Sequence, residues 1–343
     1  MNIFIIKNAA EIRRAADIAA SAHRSLVASL PWLPARAVED FVPRIEWMAN
    51  EGAVYGLEED GELKSFLGWF RLDDFRNLGP GALTPDWCWG VRDETPEAIE
   101  TTEEAESGES RARHMSRLVS PLVRRMLSDL GRARLGVHAV GVPASSRAGL
   151  REFSLLGWGG IVLDAARPAS DLREALASRA TGARGGKGAT VVVRPAEARD
   201  ARDLSLLDAR LAVHIAEPPV LMPDARGSSA EDWAEWISRT DARTVVAERS
   251  GGGLVGFIKA APPGFDVSWF VHDPGTLAIC GLWVDPSARG LGVGERLLAS
   301  LVDEGIARDK TLVSVDCETH NPEARAFWLR YFEPVAWSFE RRF

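Results

Sequence analysis

The chain has 343 residues, 46% of them apolar, and a formal net charge of −8. That length supports about two domains, each with its own core. The acidic balance argues against a nucleic-acid binder, which carries a basic face; it mildly favours an amine-bearing partner, although solubility explains it as well.

Ile3 to Ile6 predicts a first strand, and Ala9 to Leu30 a helix closed by Pro31 and Pro34. Ala37 to Asn50 predicts a second helix, broken near Pro43. Ala53–Leu57 and Leu63–Phe70 read as a hairpin across Glu59-Asp60-Gly61. Trp87 to Val91 is a further apolar run. Arg92 to Ser110 then holds eight carboxylates and reads as a mobile acidic loop. Helical periodicity returns from Met115 to Leu130. Leu135–Val142 is a strand, Ser146–Leu156 a helix and Gly159–Leu163 a strand. Arg167 to Gly188 reads as a linker: a helix at Asp171–Arg179, then a glycine-rich end.

The second half repeats that order. It has a strand at Thr190–Arg194, helices at Ala198–Ala216 and Glu231–Thr240, and a hairpin of Thr244–Glu248 with Leu254–Lys259. Leu277 to Val284 is a buried strand ended by Asp285-Pro286. Leu297, Leu298, Leu301, Val302 and Ile306 give the apolar stripe of a helix. Leu312–Cys317, Pro322–Leu329 and Val335–Glu340 close the chain as strand, helix and strand.

Between strand and helix lies Arg289-Gly290-Leu291-Gly292-Val293-Gly294. Alternating glycines let backbone N–H groups converge, and the helix adds its unpaired first-turn N–H groups and the positive end of its dipole. That combination suits a diphosphate, with Arg289 as a rim cation. A P-loop would end in Gly-Lys-Ser/Thr, whereas Gly294 precedes Glu295-Arg296. A dinucleotide fingerprint needs G-x-G-x-x-G directly after the strand; Asp316 imitates its ribose-binding acid, so that reading stays open.

Arg289-x-x-Gly292-x-Gly294 resembles the acetyl-CoA pyrophosphate loop of the GNAT superfamily of N-acetyltransferases, and Leu282-x-Val284-x-Pro286 resembles that family's fourth strand. Asn321 to Phe332 is similar to its next CoA segment. The resemblance implies an α/β (mixed α+β) chain of two GNAT-like domains, each a mixed, mostly antiparallel sheet flanked by helices. Residues 1–166 would be a degenerate copy, 167–188 the linker and 189–343 the acetyl-CoA-binding domain. It further implies direct transfer of an acetyl group to a primary amine, with acetyl-CoA as cosubstrate and no metal.

The same resemblance marks Leu282, Trp283, Val284, Arg289, Gly290, Leu291, Gly292, Val293, Gly294, Asn321 and Trp328 as cofactor contacts. Backbone N–H groups near Leu282 to Val284 would hold the developing oxyanion. Trp328 replaces the tyrosine that commonly protonates the leaving thiolate, and an indole is not a useful acid. Tyr331 lies three residues on, as an acid or as packing. Glu318 is a candidate base, beside His320, His272 and Asp273. Trp233, Trp236, Trp269, Phe270, His214 and Glu217 are candidates for the acceptor pocket. The acidic Arg92–Ser110 stretch stands where the first copy's diphosphate loop would be, so that copy is expected not to bind CoA.

The expected acceptor is a small molecule, with a peptide or protein amine, or a non-catalytic CoA sensor, as alternatives. No nucleic acid or membrane partner is expected, and the chain would be a monomer or homodimer. Cys88, Cys280 and Cys317 form no C-x-x-C and the six His do not cluster, which points to a reduced, cytoplasmic protein. Met1 to Ile6 is too short for a signal-peptide core.

Overall fold

A computed structural model describes residues 1–343 except 77–78, 93–103, 181–190, 223–224, 265–269 and 272; side chains are not described at 104–112 and 179–180. The chain forms two compact units, Met1–Val162 with Val335–Phe343, and Leu163–Pro334.

The first unit contains β1 (Asn2–Ile5), α1 (Ala9–Ser29), α2 (Val38–Glu51), β2 (Gly52–Glu59), β3 (Glu62–Leu72), β4 (Gly81–Thr84), β5 (Trp89–Val91), α3 (Glu104–Arg132), β6 (Val137–Pro143), α4 (Arg147–Leu155) and the start of β7 (Gly159–Pro168). Asn8 opens α1 with a capping box, its side chain accepting from the Glu11 N–H. Contrary to expectation, α2 runs through Pro43. The proline forgoes one N–H bond, while Phe41, Ile45 and Met48 anchor the helix from a single buried face. The strand β4 was not foreseen. The acidic stretch is also not all loop, since α3 starts at Glu104; glutamates in a first turn complement the helix dipole. Residues 93–103 of that stretch lie outside the described residues.

The sheet of this unit runs β1–β2–β3–β4–β6 and adds the chain's last strand, β13 (Glu333–Arg342), antiparallel to β6 from Ala336↔Pro143 to Arg342↔Val137. Sequence order places that closing strand in the second domain. The ladder explains its actual position: every residue of β6 is buried, so its backbone groups need a partner strand. Ile12, Ile18, Phe41, Met48 and Phe66 pack one face of the sheet under α1 and α2. Tyr55, Leu67, Leu118, Leu122 and Phe153 pack the other under α3 and α4.

The second unit takes β7 from Leu163, then α5 (Ala169–Ala180), β8 (Val191–Pro195), α6 (Ala201–Ala216), α7 (Ala230–Ser238), β9 (Arg243–Arg249), β10 (Leu254–Ala261), β11 (Thr276–Val284), α8 (Val293–Ile306), β12 (Leu312–Glu318) and α9 (Pro322–Trp328). Its sheet runs β12–β11–β10–β9–β8; β11 and β12 are parallel and the other pairs antiparallel. On one face, α6 and α7 cover Val246, Phe257 and Trp283 with Leu204, Leu207 and Trp233. On the other, α8 buries Leu297, Leu298, Leu301 and Val302, the stripe read from the sequence. The helix foreseen inside the linker is present, and its Ala169, Leu172 and Leu176 are buried. Among the described residues no helix is long and apolar enough to cross a membrane.

Candidate functional site

The site starts where two parallel strands part. The β11–β12 ladder runs from Thr276↔Leu312 to Ile279↔Val315 and ends there, although β11 continues to Val284 and β12 to Glu318. A bulge opposite Lys259/Ala260 leaves Cys280 as the extra residue of β11 at the same level. From Gly281 to Val284 the strand keeps, among the described residues, only its β10 partner. Among the described residues, the backbone of Leu282 and Trp283 thus has no strand partner on the edge that faces the gap, and the Val284 carbonyl accepts from Arg289.

Past Val284 the chain turns sharply. Asp285 caps a short 3-10 turn, Pro286–Ala288, by accepting from the Ser287 N–H. The Ser287 hydroxyl and N–H hold the Asp285 carboxyl below its ordinary range, and Arg210 pairs with it at 2.7 Å. Gly290 and Gly292 then adopt φ of 74° and 73°, left-handed conformations that side-chain-bearing residues resist. Open space surrounds both: a Cβ on either would meet nothing within 4 Å. Gly292 is the N-cap of the 14-residue α8 and, having no side chain, offers no side-chain cap; among the described residues no other side chain accepts from that end. The first intrahelical bond is Arg296 N–H to Gly292 O, at 3.1 Å. The N–H groups of Val293, Gly294 and Glu295 thus precede it and point out of the helix. Gly294 is small for a different reason, since a Cβ there would sit 3.3 Å from the Phe327 ring. Leu291, between the glycines, is exposed.

Arg289 is less free than the sequence implies. Its Nε donates to Val284 O at 3.1 Å and its Nη1 to Glu323 at 2.9 Å. The guanidinium also lies 5.0 Å from the centre of the Trp283 ring. It braces the loop against α9, and its charge is partly matched by Glu323.

Asn321 caps α9; its Oδ1 accepts the Ala324 N–H at 3.1 Å, and the residue is buried. Trp328 is buried against Phe327 and Phe332. Tyr331 is 1% exposed. Its hydroxyl faces Glu295 Oε1 at 3.4 Å, in the first turn of α8, and its ring meets Phe327. Of the two readings of Tyr331, this environment is that of a packed residue. Glu318 ends β12, and its carbonyl accepts the Asn321 N–H at 3.0 Å; His320 lies in the turn that follows. The loop, the strand end and α9 are linked in space through Arg289–Glu323, Gly294–Phe327 and Tyr331–Glu295.

On the α7 side, Trp233 is core while Trp236 is half-buried. The His214 ring lies tilted against Trp283, 5.6 Å between centres, and Glu217 is the C-cap of α6. Asp273 accepts the Gly275 N–H at 2.8 Å, a turn-forming bond. Phe270 is half-buried, and Trp269 and His272 lie outside the described residues. Two residues that the sequence did not single out stand beside the gap. Cys280 is in the bulge, its thiol pushed up to about 11 by burial, with Lys259, Asp316 and Arg239 in electrostatic reach. Lys259 pairs with Gly281 across β10 and β11. Among the described residues no three His, Cys, Asp or Glu side chains gather as a metal site.

The first unit has the same parting of strands, filled by its own side chain. Its parallel β4–β6 ladder ends at Thr84↔Val140. Next, β5 continues along β3 alone, with pairs Leu67↔Trp89 and Ser65↔Val91. Counted back from the last pair of each ladder, Trp89 stands where Leu282 stands in the second unit (Ile258↔Leu282, Gly256↔Val284). Its indole donates to Gly141 O at 2.8 Å and packs edge-on to Phe153. Gly149, in the first turn of α4, is glycine because a Cβ would come within 2.3 Å of that ring.

Residues 211–332 match the acetyltransferase (GNAT) family. No curated protein matches the sequence. Among solved structures, a GCN5-related N-acetyltransferase from Sphaerobacter thermophilus is similar at 13% identity, covering 99% of this chain and 95% of that one, with a TM-score of 0.53. A tandem GNAT protein from the clavulanic acid biosynthesis pathway matches at 15% identity over 99% and 98% of the two chains, with a TM-score of 0.44. The first of these likenesses shows the fold.

Proposed function

We propose that this chain, whose residues 211–332 carry a domain of the acetyltransferase (GNAT) family, is an acetyl-CoA-dependent N-acetyltransferase acting on a primary amine of a small molecule, with the cosubstrate held by the second unit. The observation that carries this reading is the uncapped start of α8 behind two left-handed glycines, set beside strands that part after Ile279 and Val315.

The residues present fit such a cosubstrate. Open space over Gly290 and Gly292 leaves the backbone approachable, and the N–H groups of Val293, Gly294 and Glu295 offer donors at the positive end of the α8 dipole. Asn321, at the head of α9, would lie along the pantetheine arm. Acetyl-CoA supplies an activated acyl group, and a thiolate is a fair leaving group.

The protein's part is position and electrostatics. Backbone N–H groups of β11 between Gly281 and Val284 would donate to the carbonyl oxygen as it gains charge. The acceptor must arrive as a neutral amine, so its proton leaves through Glu318, Asp316 or water at the mouth of the gap. No dedicated acid is required of Trp328 or Tyr331.

The test is a calorimetric titration with acetyl-CoA followed by thioester consumption over a panel of amines. Binding plus amine-dependent turnover supports the reading. Binding without turnover across the panel favours a CoA-binding sensor. Absence of binding removes the acyltransferase reading.

A further inference from the structure

The face of the sheet between the parting strands and α7 carries the ammonium of Lys259, which is in no ion pair among the described residues. Lys259 is half-buried. Its stem passes over Gly281, where a Cβ would lie 3.0 Å from Lys259 Cε. Its ammonium lies 4.7 Å from the centre of the Trp233 ring and 5.3 Å from that of Trp236. Among the described residues it forms no ion pair and no hydrogen bond. Partial burial of an ammonium is costly without a partner, and two indole faces offset only part of that cost.

The surroundings hold donors together with one acid, Asp316, which shares the electrostatic neighbourhood of Cys280 with Lys259. The indole N–H groups of Trp233 and Trp283, on the same face, have no partner among the described residues, and the Trp236 N–H is spent on Thr244. Arg239 lies 4.8 Å from the centre of the Trp236 ring and is already paired with Asp241. The position is also specific: Lys259 borders the bulge at which β11 leaves β12, which is where the proposed transfer would take place. Asp316 is the residue of β12 immediately after the ladder ends.

We infer that Lys259 is a specificity-determining residue that binds a carboxylate of the acceptor, so that the substrate is an amino-acid-like molecule bearing both an amine and a carboxylate. A carboxylate meeting Lys259 completes a charge pair on a partly desolvated aromatic floor, where it gains more than at an open surface. Gly281 keeps the lane beside it free of side-chain bulk. This inference rests on the acetyltransferase reading for what happens to the amine, but not for the binding of the carboxylate.

The test uses the full chain and ω-amino acids from glycine to 6-aminohexanoate, each paired with the alkylamine of the same length. Binding is followed by the 15N–1H indole resonances of Trp233 and Trp236, assigned with Trp→Phe variants. At least one amino acid is expected to bind tenfold or more tightly than its alkylamine and to shift both resonances. Lys259→Met, which keeps the stem over the rings, erases that preference; Lys259→Arg retains most of it. In turnover the loss falls on KM rather than kcat. Equal binding of the paired probes by the wild-type protein, or an unchanged preference in Lys259→Met, overturns the inference. Calorimetry with acetyl-CoA separates the two readings: carboxylate binding that depends on Lys259 in a protein that does not bind acetyl-CoA sinks the acetyltransferase reading and leaves this one standing.

Discussion

Trp89 donates its indole N–H to the carbonyl oxygen of Gly141 at 2.8 Å, across the gap left where the β4–β6 ladder has ended. In the second unit the register-equivalent residue is Leu282, whose side chain is half-buried. A pantetheine arm entering the first unit would have to displace a buried aromatic ring and break its hydrogen bond. Titration with acetyl-CoA is therefore expected to give one site per chain, and Trp89→Phe leaves that number unchanged. Trp89→Ala removes a buried aromatic and costs about 3–5 kcal/mol in stability, read by urea denaturation. A second site in the wild-type protein would show that the indole is not a plug.

The glycine loop gives a sharper test of the second unit. Gly292 has a φ of 73° and caps α8, so Gly292→Val strains the backbone by roughly 1–2 kcal/mol and puts bulk into the space proposed for a diphosphate. The expected result is a loss of acetyl-CoA affinity of tenfold or more, with a modest drop in Tm. Gly251→Ala, in the β9–β10 turn where a Cβ meets nothing within 4 Å, is the control and leaves affinity unchanged. Equal affinity in both variants would move the diphosphate elsewhere.

Much of this was legible because the second unit's signals are local. The stripe from Leu297 to Ile306, the Asp285-Pro286 stop and the Asn321-Pro322 helix start each depend on neighbours in the sequence. What was missed depends on tertiary pairing. The ladder of β13 with β6 is a choice of edge that apolar alternation does not encode. Lys259 reads in sequence as the polar end of a strand, and only the fold brings Trp233 and Trp236 under its ammonium. Trp89 reads as an apolar strand residue; its hydrogen bond spans 52 residues. Tyr331, open in sequence between acid and packing, is buried, and neither its burial nor its contact with Glu295 is encoded locally.

Tyr331 yields a prediction of its own. Its hydroxyl makes a long contact to Glu295 at 3.4 Å, in a residue that is 1% exposed. Tyr331→Phe is expected to lower kcat less than about threefold and to cost about 0.5–1.5 kcal/mol of stability, as a hydrogen bond does. A general acid contributes roughly 10²–10⁴ in rate. A hundredfold fall in kcat, with stability and acetyl-CoA binding kept, would make Tyr331 the acid after all.

His138 gives the molecule an expected sensitivity to acid. It is fully buried, and burial lowers its pKa to about 3 from an ordinary 6.5. The Trp158 indole donates to His138 Nδ1 at 3.1 Å. Because an indole only donates, Nδ1 is unprotonated and the proton is on Nε2, which donates to Thr84 Oγ1 at 2.9 Å. Thr84 in turn donates to Gly68 O at 2.7 Å. Every position in this chain is filled by the neutral ring, so a second proton would oppose the Trp158 N–H. The sign follows from linkage: below about pH 6.5 the unfolded chain takes up a proton at this residue that the folded chain refuses until about pH 3. Stability therefore falls by up to about 1.4 kcal/mol per pH unit as pH drops through that window, and is insensitive to this group above it. Urea denaturation at pH 7, 6, 5 and 4 reads the slope. In His138→Gln the amide oxygen can accept from Trp158 and the amide nitrogen can donate to Thr84, with nothing to titrate, so its slope is expected to be shallower by one proton. Identical slopes in the two proteins would mean that the buried ring accepts the proton after all.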